Sequence, residues 1–260
     1  MKYKHFLIDI EGTLVKDKTF TPVENAVSWI EKLNENDCEY FLVTNNTTHT
    51  PEQLYTLMAD SGFNVRADKI VSCISAGGDY LVKNNCRKCF VIGSQAIKSH
   101  LKSRGIEVVN SPNLDAVVVG LDEDLNYDKL RIATTALVQH GALLCGMHKN
   151  RLFVDKLGRI SFSSGPIVKA LEYASGKRAY IAGKPSPHFF RKFLSIWNIA
   201  PQKILMVSDD PYSDLQGAKK MGMSTCFVTS GIYPDSSIVE NIEIGYRPDY
   251  IFKTVASIEI

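Results

Sequence analysis

The sequence lacks a dominant charge of one sign. Thirty Lys and Arg stand against 28 Asp and Glu, a formal net charge of +2 over 260 residues. Such a balance produces no field strong enough to draw in nucleic acid or a membrane surface, and neither is expected as a partner. Basic residues form only the short clusters usual on helix surfaces. Long apolar runs are missing as well: Met1-Lys2-Tyr3-Lys4 leads straight into a strand-like segment without the apolar region of a signal peptide, and nothing later approaches a membrane span. A cytoplasmic location is the expectation. Cysteine is sparse and scattered, at 38, 73, 86, 89, 145 and 226, with Cys73, Cys145 and Cys226 in apolar segments. Buried free thiols fit that usage. Cys86-Arg87-Lys88-Cys89 has CxxC spacing, but one pair without a second pair or nearby histidines reads as plain thiols rather than a zinc or redox site. No repeat, low-complexity tract or long linker is present.

What is present is an ordinary globular composition, 45% hydrophobic and 22% charged, on a chain long enough for one large or two modest domains. The stretch around which the rest is organised is His5-Phe6-Leu7-Ile8-Asp9-Ile10-Glu11-Gly12-Thr13-Leu14. A continuous apolar run reads as a buried parallel strand, here ending abruptly in two acids around one hydrophobe. Acids at i and i+2 of an extended chain point to the same side. At the carboxyl end of a central strand that side faces the crevice where open α/β sheets bind ligands. Paired carboxylates there hold a metal, divide nucleophile from acid/base, or do both.

Further along, the pattern alternates. Strands are predicted at 5–9, 39–44 and 69–73, with helices at 22–36 and 51–61 between them. A second α/β set follows: strand 88–93, helix 94–104, strand 116–120, helix 127–140 and strand 143–146. The first pattern then resumes with a strand at 179–182, a helix begun by Ser186 and Pro187, a strand at 204–208, a helix near 214–221, and strands at 225–228 and 250–252. Strand–helix–strand alternation implies parallel sheets with right-handed crossovers. The fold class expected is therefore α/β: a doubly wound, Rossmann-like domain of residues 1–77 and 179–260, interrupted by a smaller α/β domain of residues 78–178. Gly77-Gly78 and Gly176 read as hinge points.

Four strand ends carry chemistry. They deliver Asp9 and Glu11; Thr44 and Asn45; Lys184; and Asp209 and Asp210, with Asp214 behind. Along one sheet edge, carboxylates from two strands suit Mg²⁺, which keeps waters and takes one or two protein carboxylates. A lysine, a threonine hydroxyl and helix N-termini suit a phosphate. The cation also relieves repulsion between acids and phosphate. Each feature alone has a plainer reading, as a strand end, a solvated loop lysine or a helix cap; four in the right order do not.

Asp9-Ile10-Glu11-Gly12-Thr13, Val43-Thr44-Asn45-Asn46, Gly183-Lys184-Pro185 and Ser208-Asp209 through Asp214 resemble the four motifs of the haloacid dehalogenase-like (HAD) phosphatases. The Thr-Asn-Asn and Gly-Lys-Pro forms resemble the NagD-like, 4-nitrophenylphosphatase-like subclass, which carries a large α/β cap between its second and third motifs. By that resemblance Asp9 is the nucleophile. Asp9, the backbone carbonyl of Glu11 and Asp209 hold Mg²⁺; Thr44, Asn45 and Lys184 bind the phosphoryl group; Asp214 supports the site from behind. Three positions depart from the pattern. Glu11 replaces the aspartate that serves as general acid/base, Ser208 replaces the usual glycine, and Met147-His148-Lys149-Asn150 lacks the common Asn-Pro-Asp.

These readings together imply a Mg²⁺-dependent phosphomonoesterase of small phosphorylated metabolites, with a cap that offers a surface for a homodimer. The alternative is a degenerate member that binds a phosphorylated ligand or a partner without turnover. The extra methylene of Glu11 displaces its carboxyl by about 1 Å, and such a misplacement costs ~10²-fold, under ~3 kcal/mol. Enzymes accelerate phosphate-monoester hydrolysis by up to ~10²¹-fold, so that loss leaves a slow phosphatase. A two-component receiver domain, which also places acids, Thr and Lys at strand ends, has no room for the insertion.

Overall fold

In a computed structural model of the chain, residues 3–16, 19–154, 159–233 and 235–260 are described. The strands in chain order are β1 (His5–Asp9), β2 (Val15–Lys16), β3 (Thr21–Pro22), β4 (Glu39–Thr44), β5 (Ile70–Ser72), β6 (Lys88–Ile92), β7 (Glu107–Val108), β8 (Ala116–Val119), β9 (Leu143–Gly146), β10 (Leu152–Val154), β11 (Ile160–Phe162), β12 (Tyr180–Ile181), β13 (Ile204–Ser208), β14 (Ser224–Val228) and β15 (Tyr250–Phe252). The α-helices are α1 (Ala26–Glu35), α2 (Pro51–Asp60), α3 (Cys73–Lys83), α4 (Gln95–Ser103), α5 (Tyr127–Gln139), α6 (Ser164–Ser175), α7 (Pro187–Trp197) and α8 (Gln216–Lys220). The fold is α/β, and the chain divides into two compact units: residues 1–44, 52–71 and 187–260, and residues 45–51 and 72–186.

The first unit holds a six-stranded sheet in the order β15-β14-β13-β1-β4-β5. β1 runs parallel to both β4 and β13, β13 to β14, and β14 to β15. The chain starts at the centre, moves outward through β4 and β5, and later returns to build the other half from β13. Its direction of progress therefore reverses between β1 and β13, the place where doubly wound sheets bind ligands. Alternation along the strands feeds both faces. Phe6, Ile8, Tyr40 and Leu42 pack with Trp29, Ile30 and Leu33 of α1 and with Leu54 and Met58 of α2. On the opposite face Phe41 meets Phe193 and Trp197 of α7, with ring centroids 5.1 and 5.4 Å apart.

The second unit holds a five-stranded sheet in the order β12-β9-β8-β6-β7, with all four pairings parallel, and a separate antiparallel hairpin of β10 and β11. Its core joins Phe90 and Ile92, Val117 and Val119, Leu144, and Ala133 and Leu137 of α5 to Ile167, Val168 and Leu171 of α6.

Three sequence expectations change. The 179–182 segment belongs not to the first sheet but to the edge of the second, where Tyr180 pairs with Cys145 and the Ala182 amide donates to the Gly146 carbonyl. A two-residue apolar strand carries no signal of which sheet it will join. Residues 45–51, 72–77 and 179–186 lie in the second unit, outside the bounds drawn from sequence. Gly77 and Gly78 are not a hinge but buried positions within α3. A Cβ at Gly77 would come within 2.6 Å of Met147 Cε, and one at Gly78 within 2.9 Å of His100 Nε2, so these glycines serve close packing. Gly176 is the left-handed C-cap of α6, at φ 69°. The hairpin and helices α3 and α6 had no counterpart in the sequence reading. Among the described residues no helix is long and apolar enough to cross a membrane.

Candidate active site

Asp9 ends β1 and is buried at 7% exposure. Ile10, fully buried, separates it from partly buried Glu11. The chain then turns sharply: Leu14 and Val15 amides both donate to the Ile10 carbonyl, and Gly12 adopts φ +83°, a conformation L side chains avoid. On the neighbouring β4, Val43 is level with Asp9, which places Thr44 one step beyond. Thr44 Oγ1 donates to Glu11 Oε2 at 2.7 Å.

On the other side of β1, β13 carries Ser208, Asp209 and Asp210 out of the sheet. Asp209 is 2% exposed. Its amide donates to Thr13 Oγ1 at 3.1 Å, and its Oδ2 accepts the Ile232 amide at 2.9 Å. Side chains at Gly12 or Gly231 would overlap this carboxylate, so two glycines from distant loops form a cradle that admits only the carboxylate. Asp210 Oδ1 accepts the amides of Tyr212 and Ser213, capping the next turn. Ser208 Oγ donates to buried Asp214 Oδ2 at 2.8 Å and accepts the Asp210 amide at 3.0 Å. The hydroxyl that replaces a glycine thus ties Asp214 to the strand end.

Two carboxylates, Asp9 and Asp209, therefore leave the water at adjacent strand ends, with the Glu11 carbonyl on the intervening loop. This hard-oxygen set and the glycine cradle fit a small divalent cation. Among the described residues no group of three or more His, Cys, Asp and Glu side chains could hold a metal. Two carboxylates plus a backbone oxygen do not need such a group.

Asn45 and Lys184 belong to the second unit. They are locked together: Asn45 Nδ2 donates to the Lys184 carbonyl at 3.0 Å, and the Lys184 amide donates to Asn45 Oδ1 at 2.9 Å. Lys184 is 2% exposed. A Cβ at Gly183 would overlap Asn45 and come within 2.8 Å of the Met147 carbonyl, so this position requires glycine. The structure thus brings Asp9, Glu11, Thr44, Asp209 and Asp214 together in the first unit, and joins Asn45 to Lys184 in the second.

Sequence reasoning missed three contributors. Gly231 and Thr13 touch Asp209 from far along the chain, and no local pattern marks Gly231. His148 was seen only as part of a departing segment. It is buried; its Nδ1 accepts the Asn150 amide and lies 3.0 Å from Ser164 Oγ, which donates to the His148 carbonyl. Burial, with the Lys184 charge adding to it, pushes its pKa down to about 4, so the ring is neutral at pH 7. All six cysteines are free and buried. Burial pushes the Cys86 thiol up, and that of Cys89 to about 12, which suppresses the thiolate that redox or metal chemistry needs.

This fold, with carboxylates at a sheet switch point and a Gly-Lys-Pro loop, defines a class. A family model described as haloacid dehalogenase-like hydrolase matches residues 6–107, and one described as HAD-hydrolase-like matches residues 181–258. An acid sugar phosphatase from Staphylococcus epidermidis is 30% identical over 254 residues, covering 96% of this chain and 95% of its own. A 4-nitrophenylphosphatase from Thermotoga maritima superposes with TM-score 0.85 at 25% identity, covering 98% and 95% of the two chains. NagD from E. coli K-12 superposes with TM-score 0.83 at 24% identity, covering 100% and 99%. The chain belongs to the HAD-like hydrolases, among their phosphatases, and shares its fold with NagD and the 4-nitrophenylphosphatase.

Proposed function

We infer that the protein is a Mg²⁺-dependent phosphatase of small phosphate monoesters, with sugar phosphates the favoured class, working through an aspartyl-phosphate on Asp9. The observation that carries this reading is the pair of buried carboxylates, Asp9 and Asp209, at the switch point, beside a threonine hydroxyl engaged with Glu11. The name of the S. epidermidis relative supports the sugar-phosphate class.

In this reading a carboxylate oxygen of Asp9 attacks phosphorus in line, and the bond from phosphorus to the ester oxygen breaks. Glu11, protonated, gives its proton to the departing oxygen. As a carboxylate it then takes a proton from water, which attacks phosphorus and releases phosphate from Asp9. Thr44 donates to a phosphoryl oxygen, and Asn45 and Lys184 keep the phosphate-binding roles of their motifs, with Asn45 fixing the Lys184 backbone. Asp9, the Glu11 carbonyl and Asp209 would hold Mg²⁺, whose charge neutralises the phosphoryl oxygens and lowers repulsion toward the attacking carboxylate. Asp214 acts through Ser208, holding the strand end that presents Asp209.

The test is phosphate release from a panel of small monoesters, with and without EDTA, by wild type and Asp9→Asn. The expected result is Mg²⁺-restorable activity that Asp9→Asn abolishes while the circular dichroism stays native. Full activity in EDTA, or in folded Asp9→Asn, contradicts it. Binding of phosphate esters with no turnover on any of them would favour the degenerate, ligand-binding reading.

A further inference from the structure

A hydroxyl has one proton to give. In this structure the proton of Thr44 goes to Glu11: Oγ1 and Oε2 are 2.7 Å apart, a short hydrogen bond to a carboxylate. Thr44 is 1% exposed, so bulk water does not readily replace that acceptor. Under the phosphatase reading, on which this inference rests, the same hydroxyl serves the phosphoryl group. Glu11 and a phosphoryl oxygen therefore want one proton.

We propose that Glu11, besides its acid/base role, competes with the phosphoryl group for the Thr44 hydroxyl, so that phosphate binding releases Glu11 and phosphate departure lets it re-engage. The length of the side chain makes this work. An aspartate at position 11 ends one methylene earlier, which withdraws the carboxylate by about 1.3 Å. From 2.7 Å, that retraction leaves O–H···O range, which ends near about 3.0 Å. Glutamate at this position thus couples two events that a shorter acid leaves independent. An empty phosphate site holds Glu11 on Thr44, away from the leaving-group oxygen. A filled one takes the hydroxyl and frees Glu11 for proton transfer. The cost falls on ground-state affinity for phosphate, which weakens product inhibition.

The experiment is calorimetric titration of inorganic phosphate in the presence of Mg²⁺, a readout independent of turnover. Charge is conserved in Glu11→Asp, so a general change in repulsion does not enter. Glu11→Asp should bind phosphate ~3–10-fold more tightly than wild type, the size of a partly solvated hydrogen bond to a charged group. The gain should persist in a Thr44→Ser background, which keeps the hydroxyl, and vanish in Thr44→Val, which lacks it. Steady-state kinetics should show the competition in phosphate inhibition, separately from any change in kcat that follows from Glu11 as acid/base. Equal or weaker phosphate binding by Glu11→Asp overturns the competition, as does a gain that survives in Thr44→Val. If wild type and every variant fail to bind phosphate, the phosphatase reading falls, and the competition with it.

Discussion

At the scale of single residues, the Asp209 carboxylate depends on what is not there. Gly231 and Gly12 leave room that any Cβ would fill. Gly12 also needs its positive φ, so Gly231 is the cleaner position to perturb. Gly231→Ala is expected to displace Asp209, weakening Mg²⁺ binding and activity by at least ~10-fold, at a stability cost of about 1–3 kcal/mol from overpacking. Calorimetric Mg²⁺ titration alongside urea unfolding checks it, and wild-type Mg²⁺ affinity in the variant would refute the cradle. His148 makes a second residue-scale prediction. Its folded pKa, about 4, lies below the ordinary histidine value of 6.5, so the unfolded chain binds more protons across that interval. Stability from this group is full above pH 6.5 and is lost as pH falls through 4, by a few kcal/mol in all. His148→Gln should flatten the dependence of the urea midpoint on pH between 6.5 and 4; an unchanged slope would show that another group titrates there. Asp9, Glu11 and Thr44 were legible because each ends an apolar run, a pattern local in sequence. Gly231 was not, since its importance lies in meeting a residue 22 positions away, and Ser208 was legible only as a departure, its hydroxyl's partner being visible only in three dimensions.

At the scale of elements, α7 covers one face of the first sheet with aromatic side chains. Phe189, Phe190 and Phe193 are buried, and Phe193 packs edge-on against Phe189 and tilted against Phe41. Phe193→Ala should cost about 3–5 kcal/mol by cavity formation. Urea unfolding measures this directly, and a loss under about 1 kcal/mol would mean that the face repacks around the gap. Strands β1, β4, β13 and β14 were readable within a residue because buried parallel strands are short, continuous hydrophobic runs between breakers. Helix α3 was not: it follows β5 directly, with Ser72 serving as both the last strand residue and the N-cap, and two glycines in its middle imitate a loop. β12 was recognised as a strand but assigned to the wrong sheet, because hydrophobicity marks burial without naming the neighbour. The Ser-rich start of α6 similarly hid a helix whose buried residues include Ile167, Val168 and Leu171.

At the scale of the whole molecule, two units with separate hydrophobic cores are built from one chain that leaves the first sheet after β5, returns to the first unit at α7 and re-enters the sheet at β13. The reversal of strand order between β1 and β13 puts the ligand crevice expected of a doubly wound sheet at the end of β1. The account therefore stands or falls on Asp9 as a nucleophile rather than a bystander ligand. The most direct measurement is rapid acid quench of the enzyme during turnover of a phosphate monoester with Mg²⁺, followed by peptide mass spectrometry. The account predicts a phosphoryl group on the peptide containing Asp9, formed within one turnover, decaying at the rate of phosphate release and absent in Asp9→Asn. Turnover with no phosphorylated peptide at any quench time, or a phosphoryl group on a different residue, would contradict it.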